Sequence, residues 1–219
     1  MPFPPPDTLH PVIFRDGTVH RGTVFLKPAI DHPNWEVGDY TYASAFEPPE
    51  DWAARIAPYL YAGAPERLSI GKYGQIADGV QIITASANHR YDGFSSYPFT
   101  IFDGMDRSRP SIPDGPYPDT VIGHDVWLAQ GAKILPGARI GNGVIVGAGA
   151  VVRGTIPDYA IVSGNPGRVH RMRFDDATIA ALLEIAWWDW PMDHVLAHEA
   201  EICGGDLAAL RAAAAKIGS

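Results

Sequence analysis

Near neutral pH, histidine is the side chain best suited to take up a proton and return it, because its unperturbed pKa is about 6.5. The sequence carries eight histidines, and their surroundings separate them. His89 opens a long segment, residues 88–120, that begins NHRYDGFSSYPF and bears the rings of Tyr91, Phe94, Tyr97, Phe99 and Phe102. A solvated loop does not normally hold so many large apolar groups. They are expected to be buried against the chain itself, a neighbouring subunit or a ligand. A histidine held there could act as a general base, whereas the plainer reading is a loop histidine with local hydrogen bonds. As a base, its ring needs a partner to fix the tautomer, either Asp92 or a backbone carbonyl.

The other histidines carry less. His124 follows Ile122-Gly123 at a corner where a surface polar residue is expected, and His10, His20 and His32 fall in the N-terminal region. His194 and His198 stand i, i+4 on a predicted exposed helix face. A third metal ligand is missing nearby in the sequence, so solvated surface is expected and no metal is required. Asn165-Pro166 after Gly164 presents an amide to a ligand or is a simple turn. Arg168, His170, Arg171 and Arg173 form a basic cluster that, with Arg153, faces phosphates or is a solvated strand face.

The elements that must position these groups are set by a repeat. Aliphatic residues recur every six positions at Ile122, Leu128, Ile134, Ile140, Val146 and Val152. A second small or aliphatic residue follows each by four: Val126, Ala132, Ala138, Val144, Ala150 and Ile156. Six is neither the helical 3.6 nor the strand period of two, and it predicts a left-handed parallel β-helix of short strands and corners. Ile70, Ile76 and Ile82 carry the same period, with Gly74, Val80 and Ser86 in the second slot. Val24, Ile30 and Val37 suggest a first, irregular coil. The 40 residues from Ile82 to Ile122 are not divisible by six, so residues 88–120 must leave the prism. A structureless segment that long within a domain is usually functional.

Residues 47–67 start like a capped helix with Trp52, Ile56 and Tyr59 on one face, interrupted by Pro58. After a short strand from Arg168 to Phe174, Asp175-Asp176 caps a helix bearing Ile179, Leu182, Leu183, Ala186 and Trp187. Two further helices are expected, Asp193 to Cys203 and Asp206 to Ile217, closing the open end of the repeat. The expected division is residues 1–174, a β-helix domain with its excursion, and residues 175–219, a helical cap.

A net charge of −8 argues against a general nucleic-acid binder. Cys203 is the single cysteine, which rules out an intrachain disulfide. No run approaches the ~20 apolar residues of a membrane span. The proline-rich residues 1–6 lack the apolar stretch of a signal peptide, so a cytoplasmic protein is expected.

Asn88-His89-Arg90-Tyr91-Asp92-Gly93 with Tyr97-Pro98-Phe99 resembles the active-site loop of the xenobiotic acetyltransferases, the hexapeptide-repeat chloramphenicol and streptogramin enzymes. Val37-Gly38-Asp39-Tyr40-Thr41-Tyr42, Ile122-Gly123-His124-Asp125-Val126-Trp127, Gly164-Asn165-Pro166 and Trp187-Trp188-Asp189-Trp190-Pro191 extend the likeness over residues 20–195 in the family's order. Gly167 departs from the Ala that commonly follows the Asn-Pro. The resemblance implies a homotrimer, acetyl-CoA in the groove between two prisms, and His89 as general base in direct transfer to a small-molecule hydroxyl. Trp127, Ala129, Gly147, Ala148, Asn165 and Pro166 are then expected along the pantetheine arm, with Arg153 and Arg168 toward the phosphates. Asn88, Tyr40, Tyr42, Tyr97, Phe99, Phe102 and Met105 are expected around an antibiotic-like or other bulky acceptor. An acetyltransferase of a metabolic sugar or serine hydroxyl, and a non-catalytic scaffold, remain the alternatives.

Overall fold

The computed structural model describes residues 3–102, 104, 106 and 108–217. The hexapeptides form strands such as Thr120–Ile122, Trp127–Leu128, Lys133–Ile134 and Arg139–Ile140. Such strands are too short to persist alone. Parallel pairing stacks them, each on the strand three hexapeptides away. Ile122 aligns with Ile140 and Ile140 with Ile156; Leu128 aligns with Val146, and Ile134 with Val152. The chain thus visits a five-stranded, a seven-stranded and a three-stranded sheet in rotation. The leading aliphatics from Ile122 to Val152 are all at most 2% exposed, and Val126, Ala132, Ala138, Val144 and Ala150 are equally buried. Each fully buried Leu, Ile or Val contributes about 1.5–3 kcal/mol, so the column of them stabilises strands that local propensity would not.

Both ends of the seven-stranded sheet are finished by antiparallel strands, Thr23–Phe25 at one and Arg168–Met172 at the other. Val24 is buried, but a short helix, Leu26–Ala29, follows it and pushes Ile30 out of strand register, so the irregular first coil expected over Val24 and Ile30 does not form. Trp35–Val37 does join the parallel stack, Val37 against Ile70. The helix expected in residues 47–67 shrinks to Trp52–Ile56, capped by Asp51 and stopped ahead of Pro58, which leaves Tyr59 exposed.

Asp175 caps the helix Asp176–Ile185, as its sequence position suggests. The helix expected from Asp193 to Cys203 is broken at His198 into Met192–Ala197 and Glu199–Gly204. Asp206 caps Leu207–Ala214. These helices have their own small core of Trp190, Val195, Leu210 and Ala213. The segment after the first helix folds back against the side of the coils, Trp187 on Tyr73 (4.7 Å between centroids) and Trp188 stacked on His124 (5.3 Å). Lys72 Nζ reaches Asp189 at 2.8 Å. Contacts to coils so far back in sequence mean that this segment braces a corner; it is the strand Arg168–Met172 that covers the sheet edge. None of the described helices is long and apolar enough to cross a membrane.

Candidate active site

The excursion replaces one corner, between Gln81–Ile82 of the three-stranded sheet and Thr120–Ile122 of the five-stranded one. It leaves through a tight turn, Ala85–Ala87, with Asn88 N–H donating to Ala85 O. His89 comes next, exposed, with Nδ1 3.0 Å from the carbonyl oxygen of Ser96. A carbonyl only accepts, so Nδ1 is the donor and Nε2 is left with a lone pair for a proton. Asp92 is engaged elsewhere, at 2.6 Å from Arg90 Nε, and the Arg90 guanidinium holds its carboxyl below the usual range. Arg90 also donates to Pro110 O, and Ser111 bonds Thr100, so the excursion is braced across its own width.

Its aromatics are not buried on the chain. Tyr97 packs on Phe99 (4.8 Å) and on Phe102 (5.6 Å), yet all three are more than half exposed, and Tyr91 and Phe94 more so. Of the expected covers, only a neighbouring subunit or a ligand remains. Met105 lies outside the described residues.

The other expected site residues stand on the seven-stranded sheet and its flank. Tyr42, Gln75, Trp127 and Ile145 align across its strands, and Trp127 is 45% exposed. One residue beyond the buried Ala43, Ile76, Leu128, Val146 and Val162 come Ser44, Ala77, Ala129, Gly147 and Ser163, a column of small side chains. Ala148 is exposed beside it. Gly164-Asn165-Pro166-Gly167 wraps Val151, with Val151 N–H donating to Gly164 O and Gly167 N–H to Val151 O. A Cβ on Gly167 would come within 2.8 Å of that Val151 oxygen, so the departure from Ala suits a close backbone approach. Arg153 and Arg168 are both exposed near this turn. The rest of the basic cluster divides: Arg173 turns inward, donating to Gly143 O at 2.7 Å beside Asp125.

Tyr40 and Tyr42 do not meet Tyr97, Phe99 and Phe102. They line a cleft of about 620 Å³ with Phe25, Tyr73, Trp187 and Phe174, floored by Gln75, Asp125 and Arg173. Asp125 is pushed up to about 6 by burial, against the opposing pull of Arg173. Burial likewise pushes Tyr73 up to about 12. Tyr73 was not named from the sequence, and Asp125 and Trp187 were named only within motifs and not as site residues, yet a signal exists. Tyr40, Tyr73 and Asp125 follow the aliphatics Val37, Ile70 and Ile122 by three residues, Tyr159 follows Ile156 likewise, and each has positive φ (62°, 58°, 52° and 56°). That conformation costs a non-glycine residue roughly 1–2 kcal/mol. Stacking offsets it here, Tyr40 on Tyr73 at 5.3 Å.

Two histidine expectations are corrected. His124 is no plain surface residue: its Nδ1 accepts from Lys72 N–H at 2.9 Å and its ring lies under Trp188. His194 and His198 are partly buried rather than solvated, because breaking the helix at His198 turns them inward. His194 Nε2 bonds Ala213 O and its ring packs on Trp190. Among the described residues no cluster of three or more His, Cys, Asp or Glu could hold a metal ion.

The family described as bacterial transferase hexapeptide (six repeats) matches residues 119–154. A probable macrolide acetyltransferase of Lysinibacillus sphaericus is 43% identical over 132 residues, 59% of this chain and 73% of that protein. A chloramphenicol acetyltransferase of Agrobacterium fabrum is 37% identical over 195 residues, 85% of this chain and 90% of that one. A virginiamycin A acetyltransferase of Staphylococcus aureus is 35% identical over 194 residues, 88% of this chain and 87% of its own.

Proposed function

The chain belongs to the xenobiotic acetyltransferase family of hexapeptide-repeat acyltransferases, and from that premise we propose that it moves the acetyl group of acetyl-CoA to a hydroxyl of a bulky, partly apolar small molecule. In this reading residues 1–174 wind as a left-handed parallel β-helix, which the period of six and the rotation of parallel-paired strands through three sheets support. Residues 175–219 are a brace appended to it. The enzyme works in the cytoplasm, without a metal.

The single observation that carries the mechanism is the bond from His89 to Ser96 O, because it leaves Nε2 as the exposed proton acceptor. Nε2 takes the acceptor's proton as its oxygen attacks the thioester carbonyl, and CoA leaves as the thiol. Holding both substrates together makes an acyl-enzyme unnecessary. The column from Ser44 to Ser163 is narrow and lacks large side chains, which suits the pantetheine arm. Trp127, Ala129, Gly147, Ala148, Asn165 and Pro166 flank it, with Arg153 and Arg168 toward the phosphates.

His89 springs from the corner opposite the seven-stranded sheet that bears Trp127 and Tyr42. One protomer's base therefore serves the next protomer's sheet, and the chain acts as a homotrimer with its exposed excursion aromatics buried between copies. Tyr40 and Tyr42 from one chain, and Asn88, Tyr97, Phe99, Phe102 and Met105 from another, surround the acceptor. An aromatic wall of this kind favours an antibiotic-like alcohol over a sugar or serine hydroxyl. The test is a panel of hydroxyl acceptors with acetyl-CoA, following free thiol. Release that depends on bulky apolar alcohols is expected. Acetyl-CoA binding with no release for any acceptor, or release with sugars and serine alone, would overturn the reading.

A further inference from the structure

Glu66 is wholly buried, at 0% exposed, and the mechanism above makes no use of it. A buried carboxylate is costly unless its oxygens are hydrogen-bonded. Both are: Oε1 accepts from the backbone N–H of Ser86 at 2.7 Å, and Oε2 from the Ser86 hydroxyl at 2.9 Å. Ser86 lies in the turn Ala85–Ala87 through which the chain leaves the coils, and His89 follows that turn.

The next residue grips the other end of the excursion. Arg67 N–H donates to Asp119 Oδ1 at 2.7 Å, and Thr120 N–H donates to Arg67 O at 3.0 Å. Asn34 in turn holds Glu66 and the chain just before it, its Nδ2 donating to Glu66 O at 3.0 Å and to Ala64 O at 2.6 Å. Two adjacent residues at the head of the strand Leu68–Ile70 thus fix both feet of a segment whose tip is exposed. Between those feet the excursion is braced mainly on itself, so the place from which His89 projects is set at the exit turn.

We propose that Glu66 is a positioning residue for acetyl transfer: through Ser86 it fixes the exit turn and hence where His89 Nε2 is presented. The proposal rests on His89 being the base. Loss of the carboxylate leaves the Ser86 donors unpaired and lets the turn drift. A displacement of about 1 Å at a reacting group can cost up to 10²-fold in rate.

The experiment is a cycle on the full-length enzyme: Glu66→Ala, Glu66→Gln, His89→Ala and the double variant Glu66→Ala/His89→Ala. Each is assayed for kcat, KM for acetyl-CoA and the pH profile of kcat/KM, normalised to folded protein. Glu66→Ala is expected to lower kcat roughly 10–100-fold with KM for acetyl-CoA and the midpoint of the profile unchanged. Glu66→Gln should recover most of it, since its oxygen accepts the Ser86 N–H and its amide donates to the rotated hydroxyl. In the His89→Ala background Glu66→Ala should cost nothing further.

An unchanged kcat, a rise in KM alone, or a full extra loss on top of His89→Ala overturns the positioning role while leaving His89 as base. Near-wild-type turnover in His89→Ala alone overturns the base assignment, and this inference with it. Where Glu66→Ala does not fold, Ser86→Ala carries the test, because it removes only the hydroxyl contact. It should lower kcat several-fold, again only when His89 is present, and an undiminished kcat refutes the proposal.

Discussion

The coils over residues 121–163 and the excursion over residues 88–120 solve opposite problems. In the coils every sixth side chain is buried against its own copies above and below, and the shape follows from repetition. In the excursion nothing repeats. Its order comes from individual bonds, His89 to Ser96, Arg90 to Pro110, Thr100 to Ser111, and from the grip of residues 66–67 at its feet. The coils hide their apolar groups within one chain, whereas the excursion displays its own. On the mechanism proposed above, rigidity and reactivity fall to different stretches, and substitutions in them should fail differently.

The sharpest separation is expected from His89→Ala. Turnover should fall about 10²–10⁴-fold, the usual contribution of a positioned base, while melting temperature and acetyl-CoA affinity hold. Only the neutral ring accepts a proton, so kcat/KM in the wild type should decline toward acidic pH and that decline should vanish in the variant. A melting temperature that drops along with activity would erase the contrast between the two regions.

Ile134→Ala is the converse. Ile134 is fully buried between Ile82 and Val152, so the cavity should cost about 2–5 kcal/mol of stability. The folded fraction should keep near-normal kcat. Denaturant titration checks the first statement and assays on the remaining native protein the second. Loss of kcat without loss of stability would mean that the coil interior tunes chemistry directly.

Phe94→Ser tests what covers the excursion. The ring is fully exposed on the isolated chain, so its removal should leave the chain's own core intact. A ring buried between copies would contribute about 1.5–3 kcal/mol to each interface, and sedimentation should show the proposed trimer of the variant dissociating at higher protein concentration than that of the wild type. An unchanged association constant would leave the ring to a ligand instead.

The coils were legible because one spacing predicts burial at every repeat, and the cap at Asp175 was legible because an N-cap is a local device. Residues 88–120 were recognisable as an excursion by arithmetic. What no local pattern reports is contact across long sequence separations. Trp187 read as part of a helix face, yet it settles on Tyr73, and Trp188 beside it stacks on His124. Glu66 carries no pattern in the sequence that sets it apart, and its buried carboxylate is satisfied by Ser86, 20 positions away. The choice between Asp92 and a backbone carbonyl for His89 turned on Arg90, which takes Asp92 for itself.

The smallest effect expected lies at the corner that His124 shares with Asn142 and Asp158. There each side chain accepts from the backbone N–H one coil earlier: Asp158 from Asn142 (2.6 Å), Asn142 from His124 (2.8 Å), and His124 Nδ1 from Lys72 (2.9 Å). A protonated imidazole has no lone pair to accept with. Burial lowers the His124 pKa below 6.5, with Asp189 opposing and Lys72 adding to the shift. The folded state thus binds fewer protons here than the unfolded chain. The stabilisation is whole above about pH 6.5 and is lost as pH falls below it. Asp125 runs the other way. Its carboxyl is raised from 3.8 to about 6, so its contribution is whole below pH 3.8 and is lost as pH rises through 6. Total stability mixes the two slopes, and a substitution must isolate one. His124→Asn keeps an acceptor of the kind Asn142 already supplies but cannot titrate. Above pH 7 it should cost no more than about one hydrogen bond and its share of stacking, 0.5–1.5 kcal/mol. Below pH 6.5 the gap between wild type and variant should narrow, because only the wild type loses its acceptor. Melting curves from pH 5 to 8 measure that gap. A gap constant across the range would show that the ladder holds whether or not His124 carries a proton.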